Sequence, residues 1–156
     1  MKKVLTVYVT PLEMDSTEYH LVDLPAAQDR LDTLLLEMNK GFPLYTEVSD
    51  YCGREYLADH MPEDMDLKEL NLLAGKLAEF SSTQEAAFEG LVRMDLDKGM
   101  TELPLCRLVD LANSVDCCHV APGVVNDEQL GHFYVDNDFP VIPPGLPEEL
   151  YEILDY

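Results

Sequence analysis

The residues with the most obvious chemical potential are a vicinal cysteine pair followed by histidine, Cys117-Cys118-His119, with Cys52, His60 and His132 elsewhere in the chain. Thiolate and imidazole are ligand types that zinc prefers. Paired zinc ligands are ordinarily separated by two residues, however, and adjacent cysteines fit that geometry badly. The same run could supply a Cys–His nucleophile pair, but neighbours in sequence rarely face one another and no catalytic signature surrounds them. The simpler reading makes these cysteines small buried hydrophobes. The eight glycines are scattered and form no phosphate-cradling fingerprint. Asp95-Leu-Asp97 and Asp136-Asn-Asp138 are fragments of a calcium loop, lacking its glycine and distal glutamate. Among 31 acidic residues, chance pairs of carboxylates are guaranteed, so none can be singled out as an acid/base pair. No catalytic residue, metal or cofactor is expected.

What remains is the charge itself. Against 31 Asp and Glu the chain has 10 Lys and Arg, a formal net charge of −21 over 156 residues. A small soluble domain ordinarily carries a net charge of roughly 2–8 in magnitude. The excess is unevenly placed. Residues 1–65 carry net −8, residues 66–98 net −3 and residues 99–156 net −10, with Arg107 the only base of that last stretch. Ordinary surface helices mix both signs, so the flanks are unusual. Acidity that merely aids solubility is the plainer alternative. No basic patch exists to grip nucleic acid directly. Duplex DNA carries one negative charge per roughly 1.7 Å of axis, so 21 charges correspond to about 10 base pairs, or roughly 36 Å of duplex. An elongated body displaying acids at such density would be accepted by the basic groove of a DNA-binding protein, with the salt dependence of DNA itself.

The elements that must position these acids divide the chain in three. Residues 1–61 read as a small β-β-α-β lobe. Its strands are expected at Val4–Val9, Tyr19–Val22 and Leu44–Val48. A helix capped by Asp23, with Pro25 in its first turn, runs to about Met38 with Leu31, Leu34, Leu35 and Met38 inward. Residues 62–99 read as an antiparallel helical hairpin. Asp66 and Glu69 form one capping box, and Ser82 and Glu85 another. Leu67, Leu70, Leu73, Ala74, Leu77 and Phe80 line the first helix; Ala87, Phe88, Leu91, Val92 and Met94 line the second. Gly99 caps the end. Residues 100–156 are expected to be mainly helical: Leu105 to about Asn113, Asn126 to about Asp136, and Glu148–Leu154 after a proline-rich loop. The class is α+β, with an elongated body.

Lys2 and Lys3 are followed by only six mostly apolar residues, which is too short for a signal peptide. No apolar run approaches the roughly 20 residues of a membrane span. Four cysteines without a disulfide-framework spacing point to a reducing cytoplasm.

Several segments resemble the ArdA antirestriction proteins of mobile elements. They are VYVTPL in the first strand, LYTEVSDYCGREYL (Leu44–Leu57), DLKELN (Asp66–Asn71), DCCHVAPGVVNDEQLGHFYVDN (Asp116–Asn137) and PEELYEILDY (Pro147–Tyr156). Order, spacing and acidity together carry the resemblance; no single motif is diagnostic. It implies a three-lobed, elongated, acidic homodimer without catalytic residues, occupying the DNA groove of a type I restriction–modification enzyme. The working groups would be carboxylates on both flanks acting as phosphate surrogates: Glu47, Asp50, Glu55, Asp59, Glu63, Asp64, Asp127, Glu128, Asp136, Asp138, Glu148, Glu149 and Glu152. Longer members of the family continue past the position of Tyr156. An acidic module for some other basic protein is the alternative.

Overall fold

The computed structural model of the chain describes residues 2–12, 19–38, 43–121 and 123–137. Three strands, β1 (Leu5–Pro11), β2 (His20–Leu24) and β3 (Leu44–Asp50), form an antiparallel sheet in the order β2-β1-β3. Helix α1 (Gln28–Met38) connects β2 to β3. Four further helices follow: α2 (Leu67–Ala78), α3 (Ser82–Asp97), α4 (Leu105–Ser114) and α5 (Asp127–Asp136). Single 3-10 turns lie at Glu55–Leu57 and Val115–Cys117. The class is α+β, with the β-β-α-β order expected at the start of the chain. The chain forms two compact units, Met1–Cys118 and His119–Tyr156. The first runs through the divisions expected at residues 61 and 99, because the elements on either side of each share packing. The expected helix at Glu148–Leu154 and the proline-rich loop before it lie outside the described residues.

Side chains alternate across a strand, so β1 buries Leu5, Val7, Val9 and Pro11 on one face. Val22, Leu24 and Val48 are buried beside them, and α1 contributes Leu31 and Met38. Leu34 and Leu35, expected inward, are only half-buried. Helix α1 also begins later than expected. Asp23 does not cap it but sits in β2, where it accepts a 2.9 Å hydrogen bond from the Thr6 hydroxyl of the neighbouring strand and pairs with Lys3 at 3.4 Å. The Leu24–Pro25 peptide is cis. The turn before α1 is clasped by Asn71 of α2, which accepts from the Ala26 amide at 2.8 Å and donates to its carbonyl at 3.1 Å.

Asp66 caps α2 as its sequence suggests, accepting from the Lys68 and Glu69 amides. The cap of α3 is one residue earlier than expected. Ser81, not Ser82, accepts from the Gln84 amide, and Gln84 reciprocates to the Ser81 amide, closing a capping box. The connection between α2 and α3 is as short as expected, yet the two do not pack along their lengths as an antiparallel hairpin. Helix α4 is the chief helical neighbour of both. Its Leu105, Leu108, Leu111 and Ala112 are buried. Phe88, at the heart of α3, meets Phe80 and Tyr56 edge-on, with ring centroids 5.9 and 6.5 Å away.

The inward stripe of α3 differs from expectation at two positions. Leu91, expected inward, is only half-buried. Met94 is 56% exposed, and Asp95 is buried in its place. At about 100° per residue, position 95 returns to within roughly 20° of Phe88, whereas position 94 points well away from it. The buried carboxylate is satisfied by Arg107 of α4 at 2.6 Å and Lys98 at 3.1 Å. Arg107, the single base of the last third, is thereby used inside the fold.

Candidate partner-binding surface

Strand β3 ends in a tight turn. The Asp50 carboxylate accepts from the Cys52 amide at 2.9 Å, and Cys52 and Gly53 both adopt positive φ, 50° and 94°. Left-handed backbone is unusual for cysteine. The Asp50 bond holds it there and turns the chain away from the sheet. From this turn to α2 the sequence follows a four-residue rhythm. Leu57, Met61 and Met65 are buried, at 0%, 8% and 6% exposure, while Glu55, Asp59 and Glu63, each two residues before an anchor, are exposed, with Asp64 beside the last. Burying each apolar anchor contributes about 1.5–3 kcal/mol, so the rhythm decides which way the acids point.

Two further ties hold this segment. Arg54, 4% exposed, places Nε 2.6 Å from Glu85 Oε1 and donates from Nη2 to Glu85 Oε2 at 2.7 Å and to the Leu77 carbonyl at 3.4 Å. One guanidinium therefore joins the segment to the end of α2 and the start of α3. At the far end, the His60 carbonyl accepts from the Leu103 amide at 2.7 Å.

Electrostatics shows which of these acids cluster. The Tyr45 hydroxyl is raised above its ordinary range, first by burial and then by the charges of Glu47, Glu63 and Asp64; it also donates to Glu47 at 3.5 Å. Tyr51 is raised by burial and by Glu47 and Asp59. Glu47, Asp59, Glu63 and Asp64 thus lie around two half-buried tyrosines at the β3 edge of the sheet. Their sequence alone reads mostly as core or lobe contacts. Asp50 stands apart: Lys3 reaches it at 3.3 Å, and the Cys52 amide and Lys3 lower its pKa. It is partly neutralised.

In the second unit Asp127 and Glu128 occupy the first turn of α5 and Asp136 its last residue, all exposed. Asn126 caps the helix by accepting from the Gln129 amide at 2.8 Å, and Gln129 answers to the Val125 amide at 2.9 Å. Acids in the first turn suit the helix dipole. Asp136 stands roughly 13 Å along the axis from Asp127. Asp138, Glu148, Glu149 and Glu152 lie outside the described residues.

The distribution of cations completes the electrostatic picture. Among the described residues, ion pairs engage Asp23 and Asp50 with Lys3, Asp32 with Lys68, Glu85 with Arg54, Glu89 with Arg93, and Asp95 with Lys98 and Arg107. Glu47, Glu55, Asp59, Glu63, Asp64, Asp127, Glu128 and Asp136 have no such partner among those residues. The four cysteines are free thiols, and no group of three or more His, Cys, Asp or Glu among the described residues is arranged to hold a metal. No described helix is long and apolar enough to cross a membrane.

The signal for this surface is present in the sequence as the interleaved spacing of Glu55, Asp59 and Glu63 with Leu57, Met61 and Met65. The Arg54–Glu85 lock has no local signal, since its partners are 31 residues apart. No family model, curated protein or solved structure matches the chain.

Proposed function

We propose that this protein is a non-enzymatic inhibitor that acts in the cytoplasm by presenting carboxylates in place of DNA phosphates to the recognition groove of a type I restriction–modification enzyme. The observation that carries this reading is the exposure of Glu55, Asp59 and Glu63, interleaved with buried Leu57, Met61 and Met65, with no ion-pair partner for them among the described residues. A solubilising surface needs no such anchoring. A groove lined with Lys and Arg gains from fixed anions, because each neutralised pair releases a counterion from its surface. Tyr45 and Tyr51 add planar faces on which arginine side chains stack. The resemblance to the ArdA proteins, carried by the segments quoted above, supplies the identity of the target.

The test is competition. Purified protein is titrated against the complex of a type I methyltransferase with its DNA, over a series of salt concentrations. Displacement of DNA that weakens steeply as salt rises supports the proposal. Binding to the methyltransferase without displacing DNA supports the alternative of an acidic interaction module. Inhibition that is indifferent to salt overturns the phosphate-surrogate account.

A further inference from the structure

A groove in the sheet lobe runs between β2 and α1 and encloses about 350 Å³. Strand β2 is an edge: among the described residues nothing pairs with its outer side. Its unpaired N–H and C=O groups are a template for one more strand, and edges are ordinarily blunted by lysine, proline or a bulge. Strand β2 has neither lysine nor proline, and its register with β1 is unbroken from Leu24 opposite Leu5 to His20 opposite Val9. Its one acid, Asp23, is engaged by Thr6 and Lys3. Apolar surface flanks the edge on both faces. Val22 and Leu24 are buried with Leu31 of α1, so by alternation Leu21 and Tyr19 lie on the opposite face, 58% and 57% exposed. Tyr19 stacks there on Tyr8, with ring centroids 5.1 Å apart. On the α1 side the groove offers Leu34, which is half-buried.

Leu34 stands between opposite charges. Arg30, Leu34 and Glu37 all line the groove, at a spacing that keeps them on one helix face. Only Pro25–Ala27 joins β2 to α1, so the helix starts beside the end of the strand and runs back along it. Arg30 therefore lies toward the Val22 end of the groove and Glu37 toward the His20 end. The two are roughly 10 Å apart along the helix. Four residues of a strand span roughly 13 Å, and positions i, i+2 and i+4 share a face. Long side chains close the difference. A strand added antiparallel to β2 runs from Arg30 toward Glu37. It matches the groove with an acid at i, an apolar residue at i+2 over Leu34 and a base at i+4, while i+1 and i+3 fall on the side of Leu21 and Tyr19. A segment with charges of a single sign meets a like charge at one end.

We infer that the β2 edge and its groove bind an extended peptide segment of a partner protein, with an acid, an apolar residue and a base at alternate positions, which adds antiparallel to β2 as a fourth strand. Main-chain hydrogen bonds supply the affinity in this mode of recognition, and side chains at alternate positions supply the specificity. Here Arg30 and Glu37 set register and direction. The inference does not rest on the DNA-groove reading, whose acids around Tyr45 and Tyr51 lie at the opposite, β3 edge of the sheet.

Fluorescence anisotropy of the full chain with the labelled peptide SEVLTKS, and with its charge-swapped counterpart SKVLTES, tests it. The first is expected to bind, about threefold or more tighter than the second, because the swap replaces two attractions at the groove ends by two repulsions. The preference should reverse in the double variant R30E/E37R. Both positions are exposed, and circular dichroism checks that the variant folds. Hydrogen exchange of the complex should show new protection at every second amide of β2, the ones that face the added strand. Binding of neither peptide, whether the edge is bare or covered by a second copy, overturns the inference. Equal binding of both peptides, a preference unmoved in R30E/E37R, or binding that leaves the β2 amides unprotected overturns it as well.

Discussion

The Arg54–Glu85 pair offers the sharpest test of how the acidic segment is held. Mutating either partner breaks the same ion pair, yet the costs should be unequal. Arg54 is 4% exposed and the Glu85 side chain 32%. In E85Q the guanidinium stays buried without its counter-charge, and breaking a buried pair from one side costs about 3–5 kcal/mol. In R54M the apolar stem is kept, and the carboxylate left behind is one-third exposed and turns to water. The loss is then mainly that of the charge-assisted hydrogen bonds, about 1–2 kcal/mol. Urea unfolding reads the difference. With a slope of about 2 kcal/mol per molar, the midpoint should fall by about 1.5–2.5 M in E85Q and by about 0.5–1 M in R54M. The double variant R54M/E85Q should be more stable than E85Q alone, because no buried charge is stranded. An E85Q variant no less stable than R54M would refute the reasoning. Because Arg54 also ties the Glu55–Asp64 segment to α2 and α3, E85Q should weaken inhibition without removing any exposed acid of the candidate surface.

Three further outcomes are expected. Neutralising Glu47, Asp59, Glu63 and Asp64 together as amides should weaken binding to the DNA-recognition groove and flatten its salt dependence, by about 0.9 in the logarithmic slope for each phosphate surrogate removed; a salt series of inhibition constants checks this. Asp66→Ala should cost about 1 kcal/mol through loss of the α2 cap, measured by thermal or urea unfolding. Arg107 donates to Asp95 and, with Lys98, lowers its pKa, opposing the effect of burial. A lowered folded-state pKa means stability that is present above the unfolded carboxylate range and is lost as pH falls through the folded value. The stability difference between wild type and D95N should therefore shrink on acidification below about pH 4, as followed by urea midpoints across pH.

Much of the fold is legible in the sequence because its signals are local. Asp66 and Asn126 cap their helices by accepting from amides two or three residues away, and such a bond depends on nothing distant. The strands follow from apolar crowding, and the β-β-α-β order from their spacing. The misplacements share one cause, competition from a distant partner. Asp23 reads as a helix cap, but the β1–β2 register sets it opposite Thr6, and Lys3 adds a charge. Ser81 and Ser82 both begin a capping box, with Gln84 and Glu85 respectively. Glu85 is drawn away by the buried Arg54, so the cap falls to Ser81 and Gln84. Asp95 reads as a surface acid until Arg107 of α4 arrives to neutralise it in the interior.

The order of residues alone determined that the acids outnumber the bases and where along the chain they concentrate, since charge is a property of side chains and needs no fold. Which acids remain free to meet a partner was decided only by tertiary structure. Scarce cations reach across the chain to Asp23, Asp32, Asp50, Glu85 and Asp95, and the acids left over keep their full field. Ion pairing depends on distance in space, which falls off within a few ångströms and which sequence separation does not measure.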